Sequence, residues 1–162
     1  MVTTGNETGK EEGDVRLRAW TDFVLSYNRL MGVLEEEMQA QAGITLSQYD
    51  VLLRLGETGE GRMKMSELAD AIVYSTGGLT RLFERMHKAG LVRREPSDVD
   101  RRVIYAAATD EGLERLRAAS AVHLDGVRRH FSTVLADDEA EIVAAFLARL
   151  HDSLRACAPG GR

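Results

Sequence analysis

The sequence predicts a mainly α chain with one small β-hairpin, and three observations carry that reading. Apolar residues recur at spacings of three and four along most of the length, which is the helical period. Only residues 91–95 and 103–108 read as strands, and they flank the polar turn Pro96-Ser97-Asp98-Val99-Asp100-Arg101-Arg102. The 162 residues, 44% hydrophobic and 29% charged, suit one domain with a helical appendage rather than a disordered or fibrous chain.

Residues 1–13 hold glycine, threonine and charge with few apolar side chains, so a disordered arm is expected there. Asp14 can cap a helix over 14–41, where Leu17, Trp20, Val24, Tyr27, Met31, Leu34 and Met38 form a coiled-coil-like seam. Phe23, Leu30 and Val33 widen that face, and Ala42-Gly43 ends it. Ser47 with Asp50 reads as a capping box for a short helix burying Tyr49, Leu52, Leu53 and Leu55, broken by Gly56, Gly59 and Gly61. Ser66 caps a stub with Leu68, Ala69 and Ile72 inward. Ser75 or Thr76 caps the next helix, whose Leu79, Leu82, Phe83 and Met86 line one side until Gly90. After the hairpin, Thr109 opens a long helix through Leu113, Leu116, Ser120, Leu124, Val127 and Phe131. A break near Ala136-Asp137 precedes a last helix with Val143, Phe146, Leu150 and Leu154, and residues 158–162 form a frayed tail. No internal repeat is found.

Composition excludes several classes. The lone cysteine, Cys157, leaves no intramolecular disulfide framework and no cysteine-based zinc cluster. No apolar run approaches the roughly 20 residues of a membrane span, and no signal-peptide pattern opens the chain, so no membrane partner and a reducing cytoplasm are expected. GxGxxG, GxxxxGK(S/T), HExxH and GxSxG are missing, so an enzyme is not expected, and no cofactor is implied.

The net charge of −5 argues at first against nucleic acid, but its distribution matters more. Arg81, Arg85, Lys88, Arg93, Arg94, Arg101 and Arg102 meet only Glu84, Glu95, Asp98 and Asp100 in the same stretch, seven cations against four acids. That strip is +3 and the remainder −8, summing to −5. Phosphate attraction acts locally, over a Debye length of about 8–10 Å, so a basic strip on an acidic protein is compatible with DNA.

Two short helices, a one-sided helix and a hairpin make a helix-turn-helix with a wing over residues 46–108. Such an arrangement lays the second helix in the major groove while the hairpin tip reaches flanking backbone or minor groove. Thr80 and Arg81 are best placed for base edges, and Arg85 and Lys88 for phosphate. Thr76, Gly77 and Gly78 open the helix, where glycines allow close approach of phosphate to unpaired N–H groups. Ser66 and Ser75 complete the expected interface. Taken alone, this face is also consistent with a solvated mixed-charge surface; the neighbouring basic hairpin favours DNA.

The segments LSQYDVLLRL (46–55), MSELADAI (65–72), GGLTRLFERMHKAGLVRRE (77–95), DRR (100–102) and TDEG (109–112) give the chain a resemblance to the MarR family of winged-helix transcription regulators, from Trp20 to Leu154. The resemblance implies that Asp100 orients Arg102 by a charge-assisted hydrogen bond, and that Arg102 or Arg101 enters the minor groove. It also implies a homodimer built from the first helix and the C-terminal helices of 109–157, a pseudo-palindromic operator on double-stranded DNA, and more often repression than activation.

Family members commonly bind small phenolic or other aromatic anions between the dimerisation helices and the DNA-binding lobe. Trp20, with Arg16 one turn away, is either core at a dimer seam or the wall of such a site. Tyr27, Tyr49, His87 and Arg93 are further candidates to border it. The resemblance implies no peroxide sensing here, because the first helix lacks cysteine and Cys157 lies near the end. His87, His123, His130 and His151 show no i, i+4 pairing for a metal. A protein-interaction module and an architectural DNA binder remain the alternatives.

Overall fold

Asp14 opens the first helix in the computed structural model, which describes residues 14–72, 76–97, 99–100 and 102–157. Its carboxylate accepts from the Arg16 N–H at 2.9 Å, satisfying one of the donors a helix start leaves unpaired. Helix α1 runs Val15–Ala42 and ends where Gly43 turns to φ +67°. A side chain would resist that left-handed cap. The expected arm 1–13, tail 158–162 and Ser75 lie outside the described residues, as does Arg101.

Helix α2, Leu46–Glu57, corrects the expected Ser47/Asp50 cap. Thr45 is the cap: its Oγ1 accepts from the Gln48 N–H at 3.1 Å, and Gln48 returns a carbonyl to the Thr45 N–H at 2.9 Å. Glu35, reaching from α1, takes the Leu46 N–H at 2.7 Å and fixes the start two residues earlier. Gly56 lies inside α2 instead of breaking it, and Gly61 (φ +65°) makes the turn beyond.

That turn leads into a strand absent from the sequence reading, β1 (Arg62–Lys64). Helix α3, Met65–Ala71, follows at once, so Lys64 is the cap position and Ser66 sits within the first turn instead of capping it. The Glu67 carboxylate accepts from the Lys64 N–H at 3.2 Å. Helix α4 (Thr76–Lys88) is followed by β2 (Val92–Pro96) and β3 (Ile104–Ala108), within a residue of the expected strands. The three strands form one antiparallel sheet in the order β1-β3-β2, with Arg62 and Arg93 both opposite Ala107.

Helix α5 spans Asp110–His130, with Thr109 as cap: its Oγ1 accepts from the Gly112 N–H at 3.0 Å. A 3-10 turn (Ser132–Val134) precedes α6 (Asp137–Cys157). The chain divides into two compact units, between His123 and Leu124. In the first, Met38, Val51, Leu52, Leu55, Leu68, Phe83 and Met86 are fully buried. Each contributes about 1.5–3 kcal/mol by leaving water. The second unit comprises the end of α5, the 3-10 turn and α6, where Glu139 caps the Ala136 N–H at 3.1 Å and Arg129 pairs with Asp125 at 3.0 Å. No helix among the described residues is long and apolar enough to cross a membrane.

Gly112 has a packing reason. A Cβ there would stand 2.1 Å from the Leu91 carbonyl oxygen, a backbone atom that cannot swing aside. Gly→Ala inside a helix ordinarily stabilises by up to about 1 kcal/mol. Gly112→Ala is expected to reverse that sign and destabilise by about 1–3 kcal/mol, the cost of overpacking. Urea denaturation checks it, and a rise in the midpoint contradicts it.

Candidate nucleic-acid interface and ligand cavity

Burial of Leu79, Leu82, Phe83 and Met86 fixes the roll of α4, and so leaves Thr80, Arg81, Arg85 and Lys88 exposed. Helix and wing are held together by a cluster that the sequence reading missed. Glu84 pairs with Arg94 of β2 at 2.6 Å, and the Arg94 guanidinium lies 5.4 Å over the Phe83 ring. The signal was available as acid and base on neighbouring elements, but the pairing needs the sheet register.

A second network braces the sheet. Glu95 holds Arg93 at 2.7 Å and Arg62 of β1 at 3.3 Å, and Arg62 also stacks 5.0 Å over Tyr105. The Arg93 guanidinium beside it holds the Glu95 carboxyl below the usual range, with burial opposing. Arg93 donates on to the Ala108 carbonyl at 2.8 Å. Such exposed ion pairs contribute at most about 1 kcal/mol each, so their use is to aim the wing.

At the wing tip, Ser97 Oγ accepts from the N–H groups of Val99 and Asp100, both at 3.3 Å. Asp100 accepts from the backbone N–H of Arg102 at 3.0 Å, so the contact shapes the turn rather than gripping the guanidinium. Lys64, Ser66 and Arg102 line one cleft of about 310 Å³ beside the start of β3. Lys64 went unremarked in the sequence reading because its strand did. Among the described residues, Arg81, Arg85, Lys88 and Arg102 form no ion pair, whereas Arg93 and Arg94 are committed internally. Of Thr76 and Gly77 the backbone alone is described, at the start of α4.

A cavity of about 470 Å³ opens between α1 and α2, lined by Tyr27, Met31, Tyr49, Asp50, Arg54 and His123 among others. Of the ligand candidates it gathers Tyr27 and Tyr49 only. Arg16 and Trp20 lie exposed further up α1, where Trp20, Phe23 and Tyr27 form a ring ladder at 6.3 and 6.4 Å. His87 Nδ1 donates to the Val92 carbonyl at 3.0 Å. Burial pushes the Asp50 carboxyl up, with Arg54 opposing and Glu57 adding. No group of three or more metal-ligating side chains occurs among the described residues.

Helix-turn-helix, braced sheet and cationic face define a winged-helix protein of the nucleic-acid-binding type. Residues 42–103 match the model of the MarR family. The chain is 35% identical to AbsC, a MarR family transcriptional regulator of Streptomyces coelicolor, covering 88% of this chain and 96% of that one with a TM-score of 0.80. The chain belongs to the MarR family of transcription regulators. Sco3205 of the same organism, a MarR family regulator solved in complex with DNA, is 28% identical over 85% of this chain and 86% of its own, with a TM-score of 0.78. The repressor MdtR of Bacillus subtilis is 32% identical over 57% of this chain. The chain spans only part of its curated relatives, 60% of MdtR and 54% of YkoM, also from Bacillus subtilis. Membership places it among regulators, not enzymes.

Proposed function

We propose that the protein is a homodimeric repressor that reads a pseudo-palindromic operator and is released by a small aromatic or phenolic effector. The observation that carries DNA reading is the set of cations on α4 and the wing, Arg81, Arg85, Lys88 and Arg102, left without ion pairs among the described residues beside a braced sheet. Thr80 and Arg81 read base edges from the major groove; Arg85 and Lys88 hold phosphate; Ser66 and Arg102 clamp the flanking backbone. Sco3205, a relative, was solved in complex with DNA, which supports the reading.

The apolar surface that a monomer would leave wet supports dimerisation. Trp20 is 62% exposed and Leu17 53% on α1, and Ile142 is 71% and Leu154 62% exposed on α6. Large apolar side chains left exposed on a helix in this number mark an interaction surface, and an isologous pair presents two copies of α4 to one duplex. Fluorescence anisotropy tests the proposal, with DNA from upstream of the protein's own gene against random duplex. A regulator should prefer the former by roughly 10³ or more. Equal binding to both points to an architectural role, and no binding at low salt to a protein-interaction module.

A further inference from the structure

Glu84 is the one acid in α4, and its position is awkward for a helix that meets DNA. It follows Arg81 by three residues and precedes Lys88 by four, spacings that put all three on one helix face. The carboxylate therefore has two cations of its own helix within reach, and a Glu four residues before a Lys is the favoured order. It takes neither. Glu84 Oε1 pairs with the Arg94 guanidinium of β2 at 2.6 Å, and among the described residues Arg81 and Lys88 make no ion pair.

Arg94 is held for this contact from the sheet. It stands opposite Ala106, which is 0% exposed, and its guanidinium lies 5.4 Å over the buried Phe83 ring. The two paired side chains stay 41% and 42% exposed, so the bond itself adds little to the stability of the fold. Its larger effect lies in what Glu84 would do unpaired. A free carboxylate on that face repels phosphate and ties up Arg81 or Lys88. It also offers an acceptor to cytosine N4, a false signal to the reading helix.

We propose that Arg94 is a positioning residue for DNA recognition: it takes up Glu84, leaving Arg81 and Lys88 to the duplex, without itself touching DNA. The inference rests on α4 being the reading helix. It gives an arginine at the base of the wing an influence on the major-groove contact that acts through another side chain.

The test is anisotropy of the full chain with DNA from upstream of its own gene, using Arg94→Met, Glu84→Gln, the double variant and Arg81→Ala. Arg94→Met keeps an alkyl chain over Phe83 and should weaken binding at least about fivefold, since the bare carboxylate then faces phosphate in both subunits of a dimer. Adding Glu84→Gln to Arg94→Met should restore binding to within about twofold of wild type. Loss of a direct phosphate contact, or of wing bracing, is not repaired by removing an acid. A double variant as weak as Arg94→Met therefore overturns the inference, and so does an Arg94→Met protein that binds like wild type. Glu84→Gln alone should tighten binding of all duplexes by about two- to threefold. Weaker binding, or a lost preference for the upstream DNA, would make Glu84 a contact in its own right and overturn the inference even if Arg94→Met fails to fold. Arg81→Ala separates the two levels. If it leaves binding unchanged, α4 is not the reading helix and both readings fall; if it weakens binding while Arg94→Met does not, only the role of Arg94 falls.

Discussion

Arg81→Ala is expected to weaken operator binding by about 1–3 kcal/mol, roughly 5- to 150-fold, and to flatten the preference at one base position in each half-site. The side chain lies exposed on α4, at a position set by the burial of Leu82 and Phe83 beside it. Arg102→Ala should behave differently. Placed with Lys64 and Ser66 along one cleft, Arg102 is assigned to the DNA backbone, so its loss should weaken all duplexes alike and lower the salt slope by about one. Anisotropy over a salt series separates the two signatures. If Arg81→Ala weakened all sequences equally, α4 would not be the reading helix.

Phe83→Ala should have the largest effect on stability. Phe83 is 0% exposed in the core and carries Arg94 over its ring, with Glu84 next along the helix holding that same arginine. Truncating a buried phenylalanine costs about 3–5 kcal/mol, a large share of the roughly 5–15 kcal/mol that stabilises a domain. Chemical denaturation should show the unfolding free energy fall by that amount, with Phe83→Leu losing much less. A loss under about 1 kcal/mol would mean that the α4 core is not packed as described.

Helix periodicity made most of this architecture legible. The four buried positions of α4, the Asp14 cap, the Gly43 and Gly90 turns and the Thr109 cap all express local rules, and all are met. The misses share a cause. Thr45 caps α2 because Glu35, eleven residues upstream of Leu46, takes the next N–H, and that contact is long-range. β1 has only three residues and exists by pairing with β3, far along the chain, so no local pattern announces it. Missing β1 displaced the expected cap of α3 to Ser66 and hid Lys64.

The candidate interface was legible as a cation strip, but its internal division was not. Which arginines stay unpaired depends on Glu84 and Glu95, whose partners lie on other elements or across a strand. The ligand cavity was half legible. Tyr27 and Tyr49 were named; Asp50 and Arg54 sit one turn apart on α2, and His123 joins them only where α5 packs beside α2.

Hydroxyl-radical footprinting on DNA from upstream of the protein's own gene tests the central claim most directly. A homodimer laying two copies of α4 in successive major grooves should protect two patches about 34–36 Å apart, one helical turn, with two chains per duplex. A single protected patch with one chain bound, or even protection along the whole duplex, would contradict it.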